Sequence, residues 1–333
     1  MMRIALVTLM LAGTGMGWWL AMPTNARAEI TIEPSERGAA VKFDGQLFAE
    51  YLTRAGHQPA VWPIFGPTGK EMTRSYPVGP RVEGETTDHP HHVSLWFTHG
   101  AVNGLDFWTS TSFDRDPERG NQIVHREFVA REVSGGQARI VTRNDWLAGN
   151  RRICEDERTL QFAVSTGGQQ RWIDFTVKLT ASEGELVLGD TKEGTFGVRI
   201  ADPLRVTARP PGRIVNSRGQ VNNDAWGMPA EWVDNSGQLN GQTVGIAIMS
   251  HPASFRAACR WHARDYGLLA ANPFGEREFL AEARRPRPAE PLQGAHTLPR
   301  GESLTFRYRV LLHTGDAEAA RVAESYRAFA AAQ

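Results

Sequence analysis

Apolar and polar side chains alternate along most of this chain. Ile173, Phe175, Val177 and Leu179 stand between Trp172, Asp174, Thr176 and Lys178, a period of two that sends one set to a buried face and the other outward. The same period recurs at Leu160/Phe162/Val164, Phe196/Val198/Ile200, Val244/Ile246/Ile248 and Leu304/Phe306/Tyr308/Val310. Ser134-Gly135-Gly136, Gly167-Gly168 and Ser236-Gly237 read as turns between such strands. Only the end has helical spacing, at Val322, Tyr326, Phe329 and Ala330, with Asp316 as the expected cap. Many strands with almost no helix between them argue against a βαβ arrangement. The pattern predicts a mainly β fold, a large β-sandwich with a short C-terminal helix.

The first residues depart from this pattern. Met1-Met2-Arg3 leads into an apolar run over 4–12, and Ala26-Arg27-Ala28 offers the small side chains a signal peptidase accepts. Residues 1–28 are therefore expected to be a cleavable signal peptide, with cleavage after Ala28. Gly13, Gly15 and Gly17 weaken the run as a membrane anchor. Residues 29–333 then form one expected domain, periplasmic or secreted, with no Pro/Ser-rich linker dividing it.

Charge narrows the partner. The chain has 37 basic and 37 acidic residues, and loss of Arg3 and Arg27 would leave it slightly acidic. So balanced a chain has no electrostatic footprint for nucleic acid or an anionic membrane, and no later run is long and apolar enough to cross a bilayer. A small molecule or glycan is the expected partner. Cys154 and Cys259 lie far apart without a Cys-x-x-Cys, so they do not form a metal pair, and the sequence leaves open whether they are bonded.

Two segments, 59–128 and 216–275, are polar, aromatic and turn-rich at once, which is where a β scaffold tends to carry a site. Asp88-His89-Pro90-His91-His92-Val93-Ser94-Leu95-Trp96-Phe97-Thr98-His99 holds four of the ten histidines. A strand over 91–97 would put His91, Val93, Leu95 and Phe97 on one face and His92, Ser94 and Trp96 on the other. Imidazole transfers protons near neutral pH and is also the commonest metal ligand. His89, His91, His92, His125 and His251 are thus the candidate acid/base residues. Trp96, Trp226 and Trp261 are candidates for stacking on a sugar, and Asn103, Asp106, Asp224, His262, Asp265, Tyr266 and Asn272 for contacts with its hydroxyls. The chain has no Gly-x-Gly-x-x-Gly after a strand, phosphate-binding lysine loop, His-Glu-x-x-His or Gly-x-Ser-x-Gly, so nucleotide, zincin and α/β-hydrolase chemistry lose support.

The stretches Pro63-Ile64-Phe65-Gly66-Pro67, Met72-Thr73-Arg74-Ser75-Tyr76-Pro77, Asp88-His89-Pro90-His91-His92, Ser94-Leu95-Trp96-Phe97 and Ala271-Asn272-Pro273-Phe274-Gly275 resemble the PmoA-like ("methane oxygenase PmoA") family of bacterial proteins over about residues 40–315. A methane monooxygenase subunit is a multi-helix membrane protein, and a chain without spans after its signal is not expected to be one. The resemblance implies no catalytic residues. In architecture and residue type the chain is also similar to galactose-mutarotase-like supersandwiches, whose sugar sites combine histidines with a carboxylate. These features together predict an exported carbohydrate-active protein working by acid/base chemistry, with isomerisation, hydrolysis and elimination all open. The alternatives are a metal enzyme that binds a divalent ion through these histidines, and a non-catalytic glycan-binding module. No cofactor other than such a metal is predicted.

Overall fold

The computed structural model describes residues 29–282 and 294–332, so the expected signal peptide lies outside the described residues. Two eight-stranded antiparallel sheets pack face to face. The first runs in space through Ile30–Pro34, Gly38–Phe43, Gln46–Ala55, Gln58–Ile64, Leu95–His99, Gly194–Arg199, Leu268–Asn272 and Arg260–Ala263. The second runs through Arg213–Asn216, Trp232–Leu239, Gln242–Ser250, Ser303–Thr314, Gln170–Thr180, Arg151–Val164, Gln137–Ala148 and Asn121–Ser134. A short pair, Leu186–Leu188 with His296–Leu298, stands apart. The mainly β sandwich expected from the alternation is the fold observed, as is the short C-terminal helix, Val322–Ala330.

The period of two decides what each sheet buries. Leu95, Phe97, Phe196, Val198, Leu269 and Ala271 from the first sheet meet Leu160, Phe162, Ile173, Phe175, Val177, Phe306 and Val310 from the second in one continuous core. The residues between them point outward, and on both sheets part of that outer face is also buried. On the first sheet, Leu52, Ala60, Trp62, Trp96, Leu268 and Ala270 form a second apolar layer with Val93 and Trp108, and Tyr266 packs against it. On the second, Val322 and Phe329 of the C-terminal helix cover Trp232, Ala247, Met249 and Leu311.

Gly135-Gly136 and Gly167-Gly168 make turns, all four with positive φ. Ser236-Gly237 does not: both lie inside Trp232–Leu239, and the turn is Asn240-Gly241, at φ 52° and 78°. An Asn-Gly pair suits two consecutive left-handed positions better than Ser-Gly, because glycine and asparagine tolerate them at least cost. Asp316 does not cap the C-terminal helix. Its Oδ1 accepts N–H bonds from Glu318 and Ala319, closing the turn before it, and Arg321 stands at the helix start. Cys154 and Cys259 are buried, unbonded thiols.

Candidate functional site

The outer face of the first sheet brings together residues far apart in sequence. Trp96 pairs across to Gly197, Gly197 to Ala270 and Ala270 to His262, so these four form one cross-strand row. Three strand spacings of about 4.8 Å separate its ends by roughly 14 Å between Cα atoms. Gly197 is glycine for a packing reason. A Cβ there would stand 2.7 Å from the Trp96 ring, which lies flat across that position.

The chain entering this row is held by two buried arginines. Arg74 Nη1 donates to Asp88 Oδ1 at 2.6 Å, and Arg74 also donates to the carbonyls of Tyr76 and His89, both at 3.1 Å. Arg199, at the end of Gly194–Arg199, donates to the same Asp88 oxygen at 2.7 Å. Burial alone would raise the Asp88 carboxyl, but Arg199, His89 and Arg74 outweigh it and bring the pKa down to about 2. The other Asp88 oxygen lies 2.7 Å from His89 Nδ1. His89 packs parallel to both Tyr266 and His92, each 4.8 Å away between ring centres, and those two rings are 6.3 Å apart. His92 in turn stacks on Trp96 at 5.5 Å and meets His91 edge to face at 4.4 Å.

This clamp corrects the expected strand over 91–97. The strand is Leu95–His99, and residues 90–94 form a turn with Ser94 at φ 64°. His91 and His92 therefore lie side by side rather than on opposite faces, and Val93 joins Trp96 on the outer layer while Leu95 and Phe97 face the core. The Arg74 and Arg199 bonds to Asp88 fix the turn more strongly than local alternation can.

Bonding partners define the tautomers. A guanidinium only donates, so His92 Nδ1, 3.3 Å from Arg199 Nη1, accepts and its proton sits on Nε2. The Lys192 carbonyl, 3.2 Å from His262 Nδ1, accepts a hydrogen bond from that nitrogen, which therefore carries the proton and leaves the Nε2 lone pair of His262 uncommitted. Burial lowers all three nearby imidazoles: His91 to about 4, His262 to about 3 and His92 well below its usual value. They are neutral at pH 7. Burial also raises the carboxyl of Glu193, beside this row at the start of Gly194–Arg199. Buried indole N–H groups of Trp96, Trp108 and Trp226 and the Thr195 hydroxyl have no protein partner. This is spare polar capacity of a kind folded interiors rarely leave.

Of the nominated residues, His89, His91, His92, Trp96, Trp226, His262 and Tyr266 converge here, with Asp265 at the edge of a cavity beside Trp226. Trp96 is fully buried under His92 and Trp108, so it supports the layer rather than offering an open stacking face. Asp106 stays near, its charge acting on His91 and Glu193, but its oxygens are spent on the N–H groups of Trp108 and Thr109 and on the Thr109 hydroxyl.

The others do not join. His125 is on the second sheet, against Tyr51 and Phe128. His251 bonds the Ala332 carbonyl at 3.0 Å and accepts from the Ala253 N–H, fastening the C-terminal helix. Trp261 faces the core and donates to the Ala230 carbonyl at 2.8 Å. Asn103 closes a turn through Val187 and Glu185. Asn272 is buried, holding Thr191, Phe274 and Gly275. Asp224 is exposed on a short 3-10 turn. For His251, Asn103 and Asn272 the polar atoms are already used by backbone, for Trp261 the strand phase also turns the ring to the core, and His125 and Asp224 lie elsewhere on the surface of the fold.

Arg74, Asp88, Trp108, Glu193, Arg199 and Arg264 were not among the nominated residues. Arg199 had a visible signal, since Phe196/Val198 alternation puts Gly197 and Arg199 together on the opposite face. Among the described residues no group of three or more His, Cys, Asp or Glu side chains is arranged to hold a metal ion, because the clustered imidazoles stack on one another instead of pointing at a common centre.

A family model matches residues 38–327, and the chain belongs to that family, the family of unknown function DUF6807. No curated protein matches the chain. Among solved structures it is similar to 4-alpha-glucanotransferase from Thermococcus litoralis, at 10% identity and a TM-score of 0.32 over 86% of this chain. The chain spans 39% of the length of that protein.

Proposed function

We propose that this is an exported carbohydrate-active protein that holds a sugar or glycoside against the outer face of the first sheet and moves protons there through neutral imidazoles. The observation that supports it is the convergence of His91, His92, His262 and Tyr266 on one surface, where His92 and His262 each keep a ring nitrogen that no protein atom uses. A sugar presents apolar C–H faces and a rim of hydroxyls, which match aromatic rings and spare donors.

The roles follow from the tautomers. His262, with its free Nε2 lone pair, is the proton acceptor. His92, whose Nε2 carries the proton, hydrogen-bonds a substrate oxygen, and Glu193, whose carboxyl burial shifts upward, is the proposed proton donor. Tyr266, whose ring already packs against His89, Arg199 and Arg264, supplies a hydroxyl. Ring opening, epimerisation, hydrolysis and elimination all use such a donor and acceptor pair.

Screening the purified protein against a panel of mono- and oligosaccharides, beside its His262→Gln variant, tests this. Turnover by the native chain and its loss in the variant is the expected result. Binding of a glycan with no turnover of any panel member would make this a glycan-binding module. Binding of none would reject the reading.

A further inference from the structure

Beside the histidines lies a cavity of about 290 Å³ lined by Asn223, Trp226, Ala263, Arg264 and Asp265. We infer that it is a carboxylate subsite, and that, taken with the carbohydrate reading on which this rests, the substrate is an acidic sugar, a uronate residue.

The argument starts from Arg264. Nearly every other partly buried arginine near the site is tied down: Arg74 and Arg199 to Asp88, Arg260 to Glu276 and the Gly227 carbonyl, Arg205 to Asp202. Arg264 makes no side-chain hydrogen bond or ion pair among the described residues. Its guanidinium carbon instead stands 5.6 Å from the Trp226 ring centre and 5.4 Å from that of Tyr266. Two aromatic rings hold the plane of the fork while leaving its N–H edge unused, and a planar fork recognises a carboxylate through two parallel bonds. The Trp226 indole N–H is buried beside it without an acceptor. A carboxylate would satisfy the Arg264 fork.

The charge balance favours a monoanion. Asp265 also lines the cavity and offsets part of the Arg264 charge, which suits a single carboxylate better than a doubly charged phosphoryl group. The position fits as well. Arg264 reaches Tyr266, Tyr266 stacks on His89 and His89 on His92, while Trp226 meets the His262 ring edge to face at 6.3 Å. An anionic group held at Arg264 therefore places the adjoining sugar carbons beside the imidazoles assigned to proton transfer.

The test is calorimetric titration of the full mature chain with oligogalacturonate, the same oligomer methyl-esterified, and a neutral galactose oligomer. We expect the acid form to bind at least tenfold more tightly than its ester. Arg264→Gln should remove that preference, a loss on the order of 10- to 100-fold for the acid form and little for the ester. Arg264→Lys, which keeps the charge and loses the planar fork, should lower acid binding several-fold and serves if Arg264→Gln fails to fold. Equal binding of acid, ester and neutral oligomers overturns the subsite and leaves the carbohydrate reading standing. Absence of binding by all three overturns the uronate assignment, and the saccharide panel then decides the carbohydrate reading separately.

Discussion

Two histidine-bearing regions lie on the outer flanks of opposite sheets and differ in what their ring nitrogens hold. Beside the C-terminal helix, His313 gives Nε2–H to buried Asp234 at 2.7 Å and Nδ1–H to the Thr314 carbonyl, while His251 bonds Ala332 and Ala253. Both rings spend both nitrogens on protein atoms. On the first sheet, His92 and His262 each spend one nitrogen on fixing a tautomer, and His91 is held by ring contacts alone. Residue type does not separate the two regions, for each has His, Trp, Asp and Arg. Unused ring nitrogens do, and they locate the candidate site on the first sheet.

The largest way to test the contrast is through turnover. His262→Gln removes the proposed proton acceptor, so kcat should fall by roughly 10²- to 10⁴-fold on whichever glycan the native chain turns over, with little change in the unfolding midpoint. The reverse holds inside the sandwich. Asp156 accepts from Arg158 at 3.0 and 2.9 Å, from Asn144 at 2.6 Å and from Trp146 at 2.7 Å, with both charges buried. Asp156→Ala strands the Arg158 charge and should cost about 3–5 kcal/mol in urea unfolding. Gly197→Ala lies between these extremes. Its methyl would meet the Trp96 ring, so a loss of about 1–3 kcal/mol is expected, together with altered tryptophan emission and weaker glycan binding.

The two regions should also respond to pH with opposite sign. His91, His92 and His262 have folded pKa values below the unfolded value of about 6.5, so the unfolded chain binds more protons. Their neutral burial therefore costs nothing above about pH 6.5 and erodes stability as pH falls toward about 4. His313 runs the other way: burial lowers it, but the Asp234 carboxylate wins and raises it. Its contribution is full below about pH 6.5 and is lost as pH rises through its folded pKa. Unfolding midpoints across pH 4–9 should show a shallower acid-side fall in His262→Gln and a shallower alkaline-side loss in His313→Gln. The smallest effect belongs to His125→Ala, which should leave glycan binding unchanged and shift stability by no more than about 1 kcal/mol.

Much of the sandwich was legible because a period of two is a local property. Strands such as Gln170–Thr180 and Ser303–Thr314 carry it for a dozen residues. The site was legible where its residues cluster in sequence, at His89, His91 and His92 and at His262 and Tyr266. It was not legible where a long-range bond decides orientation. Nothing around residue 91 announces that Asp88 will be clamped by Arg74 and Arg199, yet that clamp puts His91 and His92 on the same side. Likewise His251, Trp261 and Asn272 look as chemical as their neighbours until their polar atoms are found bonded to backbone.

The central claim is that the unused ring nitrogens of the neutral imidazoles on the first sheet are there to meet a sugar. A crystal structure of the protein with a bound oligosaccharide tests it most directly. The account predicts a sugar ring against Tyr266, with its oxygens within hydrogen-bond reach of His92 Nε2 and His262 Nε2. A sugar seated instead on the charged outer face of the second sheet, with the histidine row untouched, would contradict it.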